Sequence, residues 1–317
     1  MKGAAEREPM PRLSECGWSV AFAVLVMSVP MSSGQVEASE EQWSTVGGHL
    51  VLMEQYTATW CDVCASVDVW MPEFTRANAG RVVRVAVHDT FDDPLGTPIT
   101  PHRAQYYSSV PSAPTFWFDG DAMLVGSQDK ATLHRELLSS EGKRSDDTMM
   151  SLVVRALSED SISISVDIID SPPQEGRLSI FVLRDSVTIE PDRATNGIIE
   201  HHDVAIAYAE TSLIGDSKWS YPEESWDDVS AAGYVTQSGD SVLVTHTFVV
   251  PDKVRIEGLR VVAVHETSTS EDNGPSTLGA VSVFLGEQEN SAGTGLLIPL
   301  SFILALSTLA ITTRSRR

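Results

Sequence analysis

The chain has 317 residues, of which 42% are hydrophobic and 21% are charged, so it is long enough for about two globular domains and disorder is excluded as its main state. Its 44 acidic residues outnumber its 22 lysines and arginines and give a net charge of −22. Such a charge repels phosphate backbones, which argues against nucleic acid and in favour of protein partners, although it also serves solubility.

Residues 1–38 are predicted to be a secretory signal peptide and a linker. Basic residues lead into an apolar run from Trp18 to Val29, and small residues follow it. This order is typical of a signal sequence, and the run is short for a membrane span, although an uncleaved signal anchor has the same pattern. Cys16 precedes the apolar run, so we expect it to be removed with the signal.

Between residues 42 and 144, strand-like segments alternate with helix-like segments, which favours an α/β domain. The predicted elements, in chain order, are a strand at 49–57, a helix at 61–77 kinked at Pro72, a strand at 81–88, a short helix at 102–108, a hairpin at 115–125 and a helix at 129–138. The hairpin turn is predicted at Asp119-Gly120, because this dipeptide accepts the positive φ angles of a tight turn.

Residues 148–286 contain strand-like segments only, with apolar and polar residues in alternation. The clearest of these segments are 161–168, 178–183, 204–209, 241–249, 259–264 and 280–285. Two sheets that bury their apolar faces together satisfy this pattern, so we predict an all-β sandwich of the Ig or FnIII kind.

The C-terminal end has the pattern of a membrane anchor. A polar stalk at 287–294 leads into an apolar segment at 295–313, and the basic residues 314–317 end the chain. The apolar segment is long enough to span a bilayer, and the basic tail would stay in the cytoplasm. A buried core helix is the alternative. We predict a single-pass protein of the plasma membrane and cell envelope, with the bulk of the chain outside the cytoplasm.

Two cysteines that are one helical turn apart, Cys61 and Cys64, follow the first strand of the α/β segment. At the start of a helix, free backbone N–H groups and the positive end of the dipole favour the thiolate form of the first cysteine. Only a thiolate attacks another disulfide, so the pattern indicates a redox centre. Outside the cytoplasm the same two residues would normally be paired as a disulfide.

The Trp-Cys-x-x-Cys motif at 60–64 and the Ala-Pro-Thr motif at 113–115, which precedes a hairpin, together resemble the thioredoxin-like superfamily over roughly residues 42–144. The order of the chain is also similar to a group of bacterial envelope proteins that join such a domain to a C-terminal β-sandwich. The resemblance implies a cis bond before Pro114, which would lie against the two cysteines and expose a peptide group to a client strand.

If the site is catalytic, Cys61 is the attacking thiolate and Cys64 the resolving thiol. The residues expected to contact a client are Trp60, Ala113, Pro114 and Thr115. Asp62 would oppose thiolate formation and make the centre more reducing. Gln55 stands where the family carries a buried acid, so proton transfer to or from Cys64 would need another group, either Glu54 or water.

The sequence therefore predicts a membrane-anchored, extracytoplasmic thiol-disulfide oxidoreductase with no cofactor. Its partners would be proteins with thiols or disulfides, a redox partner protein and the membrane. The alternative is a non-catalytic surface binding or structural protein in which Cys61 and Cys64 form an inert disulfide.

We predict no metal site, because a single cysteine pair supplies two of the four ligands that structural zinc needs. Adjacent strand residues point to opposite faces, so His201 and His202 are not expected to hold one ion. His88, at the end of a strand, is interpreted as a loop or surface histidine.

Overall fold

The computed structural model describes residues 41–107, 112–144, 148–169, 176–213, 217–227, 230–236, 239–267 and 275–286. The predicted signal peptide, the stalk and the membrane span at 295–313 lie outside these residues. Among the helices that are described, none combines the length and the apolar character needed to cross a membrane.

Strands dominate the described residues, with fourteen strands against four α-helices. In chain order the elements are β1 (Gln42–Gly47), β2 (Val51–Thr57), α1 (Asp62–Asp68), α2 (Met71–Ala77), β3 (Val82–His88), α3 (Ile99–Ala104), β4 (Thr115–Phe118), β5 (Ala122–Val125), α4 (Lys130–Lys143), β6 (Met149–Ser158), β7 (Ser161–Ile169), β8 (Gly176–Thr188), β9 (Glu200–Ser212), β10 (Lys218–Tyr221), β11 (Ser230–Thr236), β12 (Gly239–Val249), β13 (Leu259–Thr267) and β14 (Thr277–Phe284). A short 3-10 helix, Glu223–Ser225, follows β10.

The strands form two sheets. One has five strands in the order β1-β6-β7-β12-β11, and the other runs β14-β13-β8-β9-β3-β2-β4-β5, with β10 paired to β9. In the second sheet β3 is parallel to both β2 and β9, whereas the pairs β8–β9, β8–β13 and β2–β4 are antiparallel. The sheet is therefore mixed.

The main core lies between the five-stranded sheet and the half of the larger sheet that contains β8, β9, β13 and β14. Strand β7 shows how the sequence produces it, because Ile162, Ile164, Val166 and Ile168 alternate with residues that are only partly buried. All four side chains enter this core. Full burial of such a side chain is worth roughly 1.5–3 kcal/mol, so the period-2 pattern fixes which face of the sheet is inside.

A second core surrounds β2 and β3, whose residues are buried on both faces. On one face, apolar residues of α1, α2 and α4 pack against Val51 and Met53. On the other face, Leu52 and Val85 pack with Phe181 of β8 and Val262 of β13. Helices cover one face and the β-rich half of the chain covers the other, so this segment has no exposed sheet face.

The predicted fold class, an α/β thioredoxin-like domain followed by an all-β sandwich, is wrong. The described chain is mostly β, and strands β2–β5 belong to the same sheet as β8, β9, β13 and β14. Strand β1 opens the supposed α/β segment but pairs with β6 in the other sheet. The alternation of strands and helices is a local signal, and it carries no information about which strand continues a sheet at its edge.

The helix expected at 61–77 is two helices, α1 and α2, with a break at Val69 and Trp70. Pro72 lies in the first turn of α2. The N–H groups of this turn have no acceptor within the helix, so a proline, which lacks an N–H, costs no helical hydrogen bond here. Proline at this place starts a new helix, whereas the sequence pattern suggested a kink inside one helix.

A buried ion cluster connects the two halves of the larger sheet. Arg103, at the end of α3, donates to both carboxylate oxygens of Glu54 on β2, at 2.6 and 2.9 Å. It also donates to both oxygens of Glu266 on β13, at 2.8 and 3.1 Å. Each of the three side chains is 1% exposed. Glu266 also accepts from Arg177 and Ser179 of β8, so every charge in the cluster has a partner.

We predict that Glu266→Ala lowers the free energy of unfolding by about 3–5 kcal/mol, because it leaves the buried guanidinium of Arg103 without half of its countercharge. Urea unfolding of the full-length chain measures this loss. Glu257→Ala is the matched control, since Glu257 forms an exposed pair with Arg255 and its removal should change stability by less than about 0.5 kcal/mol. A loss of under about 1 kcal/mol for Glu266→Ala would show that the cluster does not hold the sheet together.

Candidate functional site

Cys61 and Cys64 are joined by a disulfide at the start of α1, with their Cα atoms 5.2 Å apart. Cys61 is the N-cap residue, and its Sγ accepts the backbone N–H of Cys64 at 3.0 Å. The first N–H groups of a helix lack helical partners, so a side-chain acceptor at this position stabilises the helix start. Asp62, in the first turn, adds a negative charge at the positive end of the helix.

The disulfide is almost fully enclosed. Cys64 is 0% exposed and Cys61 is 6% exposed, and both pack against Ala58 and the partly buried Ala113. The Ala113–Pro114 peptide bond is cis, and the carbonyl oxygen of Ala113 lies 3.5 Å from Sγ of Cys61. The structure therefore brings the two sequence motifs together, with backbone atoms filling the space beside the sulfur.

The other predicted contact residues differ in their access to solvent. Trp60 is 41% exposed and lies at the surface next to Cys61. Pro114 is buried, and its carbonyl accepts from the backbone N–H of Gly126 after β5. Thr115 is 0% exposed, and its hydroxyl donates to the carbonyl of Ser112. In this conformation Trp60 is the predicted contact residue with substantial exposed surface.

Glu54 and Gln55 lie on opposite faces of β2, because successive strand residues alternate. Glu54 is directed to Arg103 of α3, away from α1. The side-chain amide of Gln55 donates to Asp68 of α1 at 2.6 Å. Asp68 is buried and follows Cys64 by four residues, so it shares a face of α1 with that cysteine. The buried acid next to α1 is therefore Asp68, a residue of the helix itself, and not a residue of β2.

The segment before α1 is clamped by residues that the sequence analysis did not identify. The side chain of Asn196, in the connection from β8 to β9, donates to the carbonyls of Ala58 and Cys61 at 3.2 and 3.3 Å. Its backbone N–H donates to the carbonyl of Thr59, whose own N–H donates to Asp93 at 2.7 Å. Asn196 follows Cys61 by 135 residues. No local pattern signals a contact over that distance.

His88 is buried, contrary to the interpretation as a loop or surface histidine. Its Nδ1 lies 3.1 Å from Asp93, and its ring packs edge-on against His201 at 5.1 Å between centroids. Burial lowers the pKa of His201 to about 4, and the neighbouring His88 adds to this lowering. Asp93 is also buried, which raises its pKa, but its contacts with His88 and with backbone N–H groups give a net lowering. This histidine pair supports the loop that carries Asp93.

His201 and His202 bond to different backbone carbonyls, those of Ile198 and Asp185. Within the described residues, no group of three or more possible ligand side chains is placed to hold a metal ion.

Three exposed apolar side chains, Trp60, Val63 and Phe91, lie around the entrance to α1, and we call them the apolar rim. They are 41%, 50% and 78% exposed. The indole N–H of Trp60 donates to the carbonyl of Phe91 at 2.9 Å, which fixes the two residues relative to each other. Trp60 and Phe91 are therefore neighbouring exposed residues, and grouped apolar surface marks an interaction site more often than isolated exposed residues do.

No family model matches the chain, and the search of curated proteins finds no match. Among solved structures, HBP35 of Porphyromonas gingivalis is similar at 17% identity over 77% of this chain and 78% of its own, with a TM-score of 0.51. A crystal structure from Agrobacterium tumefaciens aligns at 13% identity over 75% of this chain and 95% of its own, with a TM-score of 0.48.

A family 9 carbohydrate-binding module from Caldicellulosiruptor kristjanssonii aligns over 44% of this chain and 67% of its own, at 9% identity and a TM-score of 0.23. The two lower TM-scores support no inference. The similarity to HBP35 shows a shared fold and nothing about activity.

These comparisons correct the resemblance to the thioredoxin-like superfamily. The described chain is mostly β, and it shares its fold with HBP35. The cysteine motif at 60–64 and the proline at 114 are short local features, and they do not determine the fold of the surrounding chain. A redox role therefore depends only on the geometry of Cys61 and Cys64.

We predict that His201 makes the fold sensitive to acid. In the unfolded chain this histidine binds a proton near pH 6.5, whereas in the folded chain it stays neutral down to about pH 4. The unfolded state binds more protons between these two pH values. The contribution of His201 to stability is therefore fully present above pH 6.5 and is lost as the pH falls towards 4. Between pH 7 and pH 4.5, the free energy of unfolding of the unmodified chain should fall. In His201→Gln, this fall should be smaller by about 2 kcal/mol.

Urea unfolding at each pH measures this difference. His134→Gln is the control, because His134 is only partly buried on α4 and its variant should follow the unmodified chain. Equal pH dependence of His201→Gln and the unmodified chain would contradict the assignment.

Proposed function

We propose that this chain is a non-catalytic binding protein outside the cytoplasm, in which the disulfide between Cys61 and Cys64 is an inert bridge and the apolar rim binds a protein partner. The observation that supports this proposal best is the enclosure of the two cysteines, since Cys61 is 6% exposed and Cys64 is 0% exposed. Thiol-disulfide exchange requires an attacking thiolate to reach one of the two sulfur atoms, so an enclosed pair reacts slowly.

The hydrogen bonds around the bridge support the same proposal. Asn196 and Asp93 fix the segment from Ala58 to Cys61 through four hydrogen bonds, and these partners come from two different loops. Opening the bridge to a client would require this segment to move, and the movement would cost the hydrogen bonds. A bridge held in this way keeps the helix start and the apolar rim in one geometry.

The chemistry of the partner follows from the surface around the rim. Trp60 and Phe91 offer aromatic side chains of the kind that dominate binding energy in protein interfaces. Asp62 and Asp92 are exposed beside them, so the rim is acidic as well as apolar. We expect a partner that presents apolar side chains together with lysine or arginine, because complementary charge aligns the two surfaces.

Attachment to the plasma membrane through the segment at 295–313 remains part of the proposal. The apolar composition of that segment and the basic residues after it support a tether, with the described residues facing outward. A binding protein on a stalk of this kind would meet its partner at the cell surface.

Thiol-disulfide exchange is the second candidate, and the helix-start position of Cys61 favours it. In the reduced protein, the N–H of Cys64 and the dipole of α1 would stabilise a thiolate on Cys61. This thiolate would attack a client disulfide, forming a mixed disulfide and releasing one client thiolate. Cys64 would then attack Cys61, which releases the second client thiolate and restores the bridge, so a redox partner protein must supply two electrons for each cycle.

The two candidates are separated by trapping in the full-length chain with Cys16→Ser, so that adducts can form only at Cys61 or Cys64. We expect the folded Cys64→Ser variant to form no mixed disulfides with cellular proteins. We also expect the intact bridge to survive physiological glutathione until the chain is unfolded in urea. Non-reducing gels and maleimide labelling with mass spectrometry measure both results.

Cys61→Ser serves as the matched control, since it retains the other cysteine. Reproducible adducts at Cys61 in the Cys64→Ser chain, together with reduction of the native bridge within minutes, would overturn the inert bridge and establish exchange.

A further inference from the structure

A cavity of about 480 Å³ opens where the two halves of the larger sheet separate. Strands β3 and β9 are parallel, and the described residues show one register pair between them, Ala86 with Val204. The residues that precede this pair on both strands, Val82–Arg84 on β3 and His202–Asp203 on β9, line the cavity. The cavity is therefore the gap left by two strands that diverge from a single contact.

The charge of the lining is unusual for this chain. Three arginines and two aspartates line the cavity, namely Arg76, Arg84, Arg260, Asp185 and Asp203, with His49 and His202 beside them. The formal sum is +1 with both histidines neutral, in a protein whose net charge is −22. A local positive excess inside an acidic protein concentrates anions at this place.

The hydrogen bonds show which arginines have donors to spare. Arg84 donates to Gln55, to the carbonyl of His202 and to Asp203, so its donors are largely satisfied. Arg260 bonds Asp185 through Nη2 at 3.2 Å, while its buried Nε makes no hydrogen bond to a described residue and lies 3.9 Å from Asp203. This Nε is shielded from solvent, whereas the Arg260 side chain as a whole is 29% exposed, so a ligand can reach the guanidinium through its exposed part.

Arg76, in the last turn of α2, provides a second available guanidinium. It is exposed, and no described carboxylate lies within ion-pair distance of it, although its charge acts on Glu73 one turn earlier in the helix. Apolar side chains, among them Val46, Leu50 and Val281, complete the walls. The volume lies within the range of 300–1,000 Å³ that is typical of small-molecule sites, and the wall combines apolar residues with polar ones.

We propose that this cavity binds a small molecule through an anionic oxygen group, a carboxylate or a phosphate, which accepts hydrogen bonds from Arg76 and Arg260. The guanidinium group presents two parallel N–H donors that fit both groups. The site is separate from the disulfide, and it does not depend on whether the apolar rim binds a partner.

The test is calorimetric titration of the full-length chain with inorganic phosphate and, separately, with succinate, in an amine buffer at constant ionic strength set with sodium chloride. We expect saturable one-to-one binding of at least one of these anions, and the comparison of the two identifies the group. Arg76→Gln should weaken the binding roughly tenfold, because it removes a charge-assisted hydrogen bond. Arg135→Gln is the matched control, since Arg135 is exposed on α4 outside the cavity, and its binding should be unchanged.

Arg260→Gln provides a second variant, with its folding checked by urea unfolding, and it should weaken the binding by a similar factor. If that variant does not fold, Arg76→Gln decides alone, because Arg76 is exposed and its described electrostatic partner, Glu73, is exposed as well. The proposal fails if neither anion binds saturably, or if Arg76→Gln and Arg135→Gln bind the anion with equal affinity.

Discussion

The paired charges of Arg103, Glu54 and Glu266 constrain the rest of the structure. Arg103 is buried, which lowers its pKa, but the two carboxylates and two tyrosine hydroxyls give a net pKa well above the usual value, so the charge is retained inside the protein. A buried charge that loses a partner costs several kcal/mol, so β2, α3 and β13 must meet at one place. This requirement matters because, in the part of the chain that the structure describes, β3 and β9 show a single register pair at the join of the two halves. The side chains of the ion cluster therefore join the two halves of the sheet where the backbone hydrogen-bond ladder is short.

Local features of this fold could be read from the sequence, and long-range features could not. The alternation of isoleucine and serine predicts β7, and Asp119-Gly120 predicts the turn between β4 and β5, where both residues have positive φ. The pairing of β1 with β6, and the entry of β3 into a sheet with β9, depend on strand edges that have no sequence signature. The thioredoxin-like assignment failed for this reason, because it extended two short motifs to a whole domain.

The candidate site shows the same division. The motifs at 60–64 and 113–115 singled out Cys61, Cys64 and Ala113, and the structure places Ala113 beside the two cysteines. The sequence did not identify Asn196, which bonds the carbonyls on either side of the turn before α1, and the buried His88 was interpreted from it as a loop or surface histidine. These residues decide how rigid and how accessible the bridge is. A sequence motif therefore specifies the reactive atoms, while long-range contacts determine whether those atoms can react.

The cavity follows from the same constraint as the ion cluster. Parallel strands that meet at Ala86 and Val204 and then diverge leave backbone groups without a ladder, and the structure compensates by directing Arg84 of β3 to the carbonyl of His202 on β9. Asp203, which has a positive φ of 55°, then accepts a bond from the same guanidinium. A non-glycine residue in this conformation is strained, so the contact with Arg84 must offset the strain. Arg84 closes part of the gap in this way, while Nε of Arg260 makes no hydrogen bond to a described residue and lies 3.9 Å from Asp203. The divergence of the sheet thus produces the arginine-lined space in which we propose that an anion binds.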